Sequence, residues 1–357
     1  MTRLKPFTPL FIAFFLLVAS ELFLSFPPVC GYLIRIAPEN LSLKLKELES
    51  KKRQDYDVLF LGSSRTHYGF ATTEFEKGVF KNVSSYDLGV FGADYKLTGV
   101  ILEGYLKTHR PPKLILLELN DFSVIQPPDP GMGYYPVVNY VSIIHNVPGS
   151  QQMILATPLL SVQNKMDIML SAASRFYLYR DIISPTRLVD IAKNLVNHKK
   201  PPPLESNEIN GWVGAQKKVP ITPQAARIKL GYNWGANPMV NADSLHAMLV
   251  LCKEKNIPVV MVQWPTHPYY HDLVVSSAQY AGFLSAVQTT TREYQVPLID
   301  FEDTGEGRNP DLFFDPDHLS RDGAIYYTGI LKQRLLMMDL IHKIIPNLQK
   351  EESNGSL

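Results

Sequence analysis

Short apolar runs recur in two stretches of the chain, each closed by Gly, Pro, Asn or Asp, and between the stretches the spacing changes to that of helices. Val58-Leu59-Phe60-Leu61 and Leu114-Ile115-Leu116-Leu117 are uninterrupted apolar runs, and Asp87-Leu88-Gly89-Val90-Phe91-Gly92 closes another strand with two glycines. Runs of this length and evenness suit strands buried on both faces. The pattern resumes with a helix over about 241–255, a strand over 257–262, a helix over about 273–294 and a strand over 296–301. Five short strands alternating with helices predict an α/β fold: a parallel five-stranded sheet in a flavodoxin-like three-layer sandwich.

The alternation stops between the third and fourth strands. From 126 to 240 the chain is rich in Pro, Tyr and Asn, with short helical stretches such as 166–179. So long a connection predicts a mostly helical cap insertion rather than a loop. Its aromatics Tyr134, Tyr135, Tyr140, Trp212, Tyr232 and Trp234 suit either the cap's own core or stacking on sugar rings.

The N-terminus follows a third pattern. Residues 7–26 are almost continuously apolar, broken mainly by Glu21, with Arg3 and Lys5 ahead of them. About 20 such residues suffice for a transmembrane helix, and the basic flank places the N-terminus inside and the rest of the chain outside the cytoplasmic membrane. A cleaved signal peptide is the competing reading, since Val18-Ala19-Ser20 has small residues of the right kind. Residues 38–54, with Lys44, Lys46, Lys51, Lys52 and Arg53 against Glu47 and Glu49, read as a charged helix or stalk with solvated faces. The expected domains are an anchor over 1–30, a stalk over 31–54, an α/β domain in two parts over 55–125 and 241–346, the insertion over 126–240, and a disordered tail over 347–357.

Composition narrows the field. The 357 residues are 45% hydrophobic and 19% charged with a formal net charge of +1, which supplies no field for nucleic acid. Cys30 and Cys252 are the only cysteines, too few for a disulfide framework.

Chemistry concentrates at two distant segments. Gly62-Ser63-Ser64-Arg65 follows the first strand, where a Gly turn exposes a hydroxyl at the carboxyl end of the sheet. Asp315-Pro316-Asp317-His318 lies ahead of a helix with Ser320 as N-cap and Asp322 in its first turn. A serine hydroxyl needs a positioned base, and Asp315 and His318 can supply an imidazole oriented by a carboxylate. Ser64 is the candidate nucleophile. The Gly92 N–H and the Asn120 side chain are candidate oxyanion donors. Arg65, His67, Trp264 and His267 are candidates for the pocket, Trp264 and His267 because they follow the fourth strand directly. His267 and His271 stand four apart, but Pro268 and the lack of an adjacent Glu argue against a metal pair. No metal or cofactor is expected.

In order and content these blocks resemble the SGNH (GDSL-like) hydrolase superfamily, over roughly 55–125 and 240–340. That resemblance implies acyl-serine chemistry, with Ser64 as nucleophile, His318 and Asp315 completing a triad, and Ser64, Gly92 and Asn120 forming the oxyanion hole. Two residues depart from the pattern: Ser63 stands where the family often has Asp, and Glu118 where it usually has Gly. A carboxylate near the oxyanion would oppose its charge unless turned into the sheet or paired with a base such as Arg65. The anchor, the Gly-Ser-Ser turn and the ending Asp-x-x-His-Leu-Ser-x-x-Gly-Ala look most like membrane-anchored D-alanyl transfer and alginate O-acetylation type proteins. The resemblance implies an extracytoplasmic O-acyltransferase or esterase working on a cell-surface glycan or teichoic-type polymer beside a membrane-bound O-acyltransferase. The alternatives are a simple carboxylesterase or lipase, and a glycan-binding assembly protein with a degenerate site.

Overall fold

The structure, a computed structural model, describes residues 8–29, 33, 40–50, 55–119, 121, 125–126, 134–156, 160–180, 185–197, 210–215, 220–234, 239–240, 242–302 and 309–345. The chain divides into two compact units, Met1–Leu43 with Gly131–Ser206 and Lys44–Pro130 with Asn207–Leu357.

The larger unit holds the parallel sheet. Its strands are β1 (Val58–Leu61), β2 (Ser85–Asp87), β3 (Leu114–Glu118), β6 (Val259–Gln263) and β7 (Leu298–Asp300), in the order β2-β1-β3-β6-β7. All four pairings are parallel. Two further strands, β4 (Ile125–Gln126) and β5 (Met239–Val240), pair antiparallel at the two ends of the insertion. β1, β3 and β6 are buried along their whole length, as their unbroken apolar runs require. The order reverses direction at β1, so the loops after β1 and β3 open beside one another at the carboxyl edge, where such sheets place their sites.

The helix expected over 273–294 is two helices, Pro268–Val275 and Tyr280–Tyr294, parted by a turn over 276–279. Trp264, expected in the pocket, belongs to the core behind it. Its ring stacks on Phe301 with centroids 5.8 Å apart, and a Cβ on Gly69 would lie 3.4 Å from it.

The smaller unit is helical: Thr8–Ser25, Tyr134–Asn146, Ser150–Ala156, Val162–Ala173, Arg175–Tyr179 and Pro185–Val196. The helical stretch expected over 166–179 breaks at Ser174, whose hydroxyl caps the Arg175–Tyr179 helix. The membrane-spanning helix expected over 7–26 has no support in the structure. Among the described residues no helix is long and apolar enough to cross a membrane. Thr8–Ser25 has 18 residues, about 27 Å at 1.5 Å per residue against a hydrocarbon core of about 30 Å. Leu24 in its last turn, with Val29 and Leu33 beyond it, shares a buried cluster with Val137, Val138, Val141, Leu178, Tyr179 and Ile191, while Leu22, Phe23 and Phe26 are exposed. Glu21, the break in the apolar run, accepts the Ser174 hydroxyl and the backbone N–H groups of Arg175 and Phe176. A carboxylate at the free N–H groups of a helix start is electrostatically favoured.

Of the insertion's aromatics, Tyr140 and Trp212 are buried. The side chains of Tyr134, Tyr135, Tyr232 and Trp234, and the tail over 347–357, lie outside the described residues.

Candidate active site

Ser64 opens the short Ser64–Gly69 helix directly after β1, with Ser63 as N-cap. Its N–H is therefore among those that lack an intrahelical partner. The Ser64 hydroxyl lies 2.7 Å from His318 Nε2, and His318 Nδ1 lies 2.8 Å from Asp315 Oδ2 and 2.9 Å from Oδ1. A carboxylate only accepts, so Nδ1 carries the proton and Nε2 is left to accept from Ser64. Asp315 Oδ1 also accepts the backbone N–H groups of Asp317 and His318, closing the turn around the imidazole. Burial alone would raise the Asp315 carboxyl. The facing imidazole and its hydrogen bond, with Lys229 and the Asp317 N–H, outweigh it and hold Asp315 below the usual carboxylate range.

Glu118 reaches back under this turn. It accepts the Ser63 N–H and hydroxyl, each at 2.7 Å, and the Thr66 N–H and hydroxyl at 3.1 and 2.6 Å. The carboxylate is thus taken up by the start of the helix that carries Ser64, and the partner expected for it, Arg65, is engaged elsewhere. A Cβ on Gly62 would stand 2.3 Å from Glu118 Oε2 and 2.4 Å from Thr66 Oγ1, so only glycine admits this approach.

The loop after β2 lies against the same turn. The Val90 N–H donates to the Gly62 carbonyl at 3.0 Å. A Cβ on Gly89 would meet the His67 nitrogen at 2.6 Å and the Ser63 carbonyl at 2.9 Å. Gly92 has φ +67°, in the left-handed region that glycine enters without strain. Asn120 lies outside the described residues.

Beneath that loop sits Lys44, from the segment expected to be a solvated stalk, an expectation its burial corrects. Lys44 is wholly buried, and its ammonium donates to the Asp87 and Gly89 carbonyls at 2.8 and 2.7 Å and to Asp87 Oδ1 at 3.2 Å. Burial pushes the lysine below its ordinary range and the Asp87 carboxyl up to about 7, the ion pair and the Gly89 N–H opposing the latter rise.

Arg65 turns away from Ser64 to pair with Asp121 at 2.7 Å, and its Nε lies 3.8 Å from Asp317. Asp317 in turn meets Lys229 at 3.0 Å, accepts from Asn233 at 3.2 Å and stands 3.2 Å from His318 Nδ1. Lys229 and Asn233 come from Pro223–Trp234, the part of the insertion that folds with the sheet. Asp315, Asp317 and His318 are close enough together to offer ligands to a cation, but Lys229 and the Ser64 hydroxyl already face the atoms concerned.

Of the other expected residues, His67 is buried between Tyr68 and Phe91, and burial, with Lys44 and His318 nearby, keeps it neutral. His267 braces the site through its backbone, donating its N–H to the Pro316 carbonyl at 3.0 Å. His271 diverges from it to Glu302 at 2.8 Å. Sequence reasoning missed Tyr68, whose ring meets the His318 imidazole edge-on at 5.3 Å, and the network of Lys229, Asn233, Tyr270 and Asp317. Lys229 and Asn233, four apart on one helix face, were the available signal.

A family model matches residues 229–339, which include the Asp315–His318 turn. No curated protein matches the chain. Among solved structures it is similar to a candidate acylhydrolase from Bacteroides fragilis, at 11% identity and a TM-score of 0.38, over 87% of this chain and 99% of that one. It is similar also to a GDSL-like lipase from Bacteroides thetaiotaomicron, at 11% identity and a TM-score of 0.38, over 83% of this chain and 97% of that one.

Proposed function

We propose that the protein is a serine esterase or acyltransferase of the SGNH-like kind, working through an acyl-serine intermediate. The observation that carries this reading is the chain of hydrogen bonds from Ser64 Oγ to His318 Nε2 and from His318 Nδ1 to Asp315. Ser64 attacks an ester carbonyl while His318 takes its proton, and N–H groups at the helix start and at the Gly92 loop receive the oxyanion. Collapse expels the alcohol, protonated by His318, and leaves the acyl group on Ser64. Water or a second hydroxyl, deprotonated by His318, then takes the acyl group and restores the serine. Asp315 orients the imidazole and offsets its charge throughout.

The finer reading is transfer to a cell-surface polysaccharide or teichoic-type polymer on the outer face of the cytoplasmic membrane, with acyl groups supplied by a membrane-bound O-acyltransferase. Its support is the sequence resemblance and the apolar N-terminal helix. Fluorophosphonate labelling tests the chemistry: wild type is labelled and Ser64→Ala is not. Labelling that persists in Ser64→Ala, or is absent from folded wild type, sinks the acyl-serine reading. Supplying a labelled ester with water alone or with an added glycan then separates hydrolysis from transfer.

A further inference from the structure

The loop after β2 carries the Gly92 N–H proposed for the oxyanion, and Gly89 within it admits no side chain. A Cβ there would stand 2.6 Å from the His67 nitrogen, 2.8 Å from Thr66 Cβ and 2.9 Å from the Ser63 carbonyl. Gly89 can therefore be fixed only through its backbone. Its N–H donates to Asp87 Oδ1 at 2.7 Å, and its carbonyl accepts from Lys44 Nζ at 2.7 Å. On either side of it the Leu88 N–H donates to the Phe60 carbonyl at 2.8 Å and the Val90 N–H to the Gly62 carbonyl at 3.0 Å. The Ala93 N–H then closes a turn on the Val90 carbonyl at 3.2 Å, with Gly92 in third place at φ +67°. A turn of this kind makes no use of the third residue's N–H, so that of Gly92 stays available.

Lys44 reaches this loop from the Asn40–Ser50 helix. Its three donors meet three acceptors, the Asp87 and Gly89 carbonyls and Asp87 Oδ1, which uses the whole ammonium. Tyr86, beside Asp87 on β2, meets the same helix there, its hydroxyl 3.1 Å from the Lys44 carbonyl and 2.9 Å from Glu47 Oε2. For stability alone the arrangement is a poor one, because apolar residues of similar volume in place of a buried ion pair are often neutral or stabilising. What an apolar pair cannot do is hold two peptide carbonyls, and these two belong to the loop packed against the Ser63–Ser64 turn.

We infer that Lys44 is a positioning residue for the oxyanion loop: by holding the Asp87 and Gly89 carbonyls, its ammonium sets where the Gly92 N–H stands. The inference rests on the acyl-serine reading and adds to it a residue outside the triad. With its N–H and its carbonyl both held, Gly89 cannot swing, and the turn that begins one residue later inherits its orientation. A donor displaced by about 1 Å lowers the rate by up to about 100-fold. Substrate binding changes little, because the negative charge on the oxygen develops only in the transition state.

The test compares two full-length variants that share one change, Asp87→Asn and Lys44→Met/Asp87→Asn. The amide oxygen can still accept the Gly89 N–H in both, and neither strands a carboxylate, so they differ only in the bonds from Lys44. With 4-nitrophenyl acetate as the probe, Asp87→Asn should keep kcat within about threefold of wild type. The double variant should lose a further factor of about ten or more in kcat with KM within about threefold. Amide exchange over 88–93, read by mass spectrometry, should quicken by about tenfold or more in the double variant only. Lys44→Gln/Asp87→Asn, which offers a shorter neutral donor, is the second variant and should fall between the two. Equal kcat in Asp87→Asn and the Lys44 variants, or unchanged exchange over 88–93, overturns the inference. So does a fall in kcat that follows urea stability rather than loop exchange, since Lys44 would then be structural only. Wild type that takes no fluorophosphonate at Ser64 sinks the acyl-serine reading and this inference with it, whereas a labelled wild type with equal variants sinks this inference alone.

Discussion

The Glu118 carboxylate takes both donors of Ser63, the backbone N–H and the hydroxyl, each at 2.7 Å. One strand side chain thereby fixes the turn that presents Ser64, and Glu118→Gln puts an amide donor where an acceptor was needed. We expect this variant to lose about 2–4 kcal/mol of stability in urea unfolding, since buried donors to a charged acceptor are left unpaired. Its fluorophosphonate labelling should fall by about tenfold or more as Ser64 shifts. Wild-type stability in Glu118→Gln would mean the clamp is not formed.

Lys44 and Asp87 form a wholly buried pair, and Lys44→Met should cost about 3–5 kcal/mol by stranding the carboxylate. Lys44→Met/Asp87→Asn should recover much of that. The deficit of the single variant should also depend on pH. Without the ammonium the folded carboxyl titrates above its present value of about 7, while the unfolded one titrates near 3.9. The folded state then binds the extra proton, so stability falls as pH rises through that window. Chemical denaturation at about pH 5.5 and 8 checks the sign.

Burial would lower Lys229, but Asp317 and Asp315 outweigh it and hold the ammonium above its ordinary range. Removing that positive charge favours the imidazolium form of His318. In Lys229→Met the acid limb of the kcat/KM profile should move to higher pH by about half to one unit, and Lys229→Arg should restore it. An unmoved limb would leave Lys229 a purely structural role.

Asp315 contributes in the opposite direction to Asp87. Its folded value is depressed, so its stabilisation is full above about pH 4 and is lost as pH falls further through the folded value. Asp315→Asn should therefore remove the steep acid-side loss of stability contributed by this turn. It should also lower kcat by about 10²–10⁴-fold at neutral pH, since the amide favours the wrong imidazole tautomer. Thermal unfolding across pH 2.5–5 and a steady-state assay read the two effects separately.

Local signals carried the sheet. The apolar runs at 58–61 and 114–117 and the turn residues that close them, Gly62 and Asn120-Asp121, are short-range features, and they fixed both the strands and the place where their loops meet. The 254-residue separation of Ser64 and His318 was no obstacle, because block order along the chain implied their meeting. Lys44 was misread because a lysine among charges is ordinarily solvated, and its acceptors lie 43 and 45 residues away with no local mark. Trp264 follows β6 as a pocket residue would, yet its ring is large enough to be more useful in the core. The N-terminal run was legible as apolar, but its spelling does not reveal that Leu24 is committed to the protein interior.

The β4 and β5 pair joins Ile125–Gln126 to Met239–Val240 and so ties the two ends of the insertion together. With its ends closed there, further lengthening of the intervening chain carries only a logarithmic entropy cost, about 0.6 kcal/mol per doubling. The intervening chain can therefore be enlarged, trimmed or exchanged with little strain on the sheet, provided two parts are kept: the Pro223–Trp234 helix that supplies Lys229 and Asn233, and the 210–215 segment, whose Asn210 carbonyl accepts the Asp87 N–H and whose Trp212 is buried with Ala71 and Ala324. The neck makes the architecture modular: the reacting groups are inherited with the sheet, and the surface the protein meets can diversify separately.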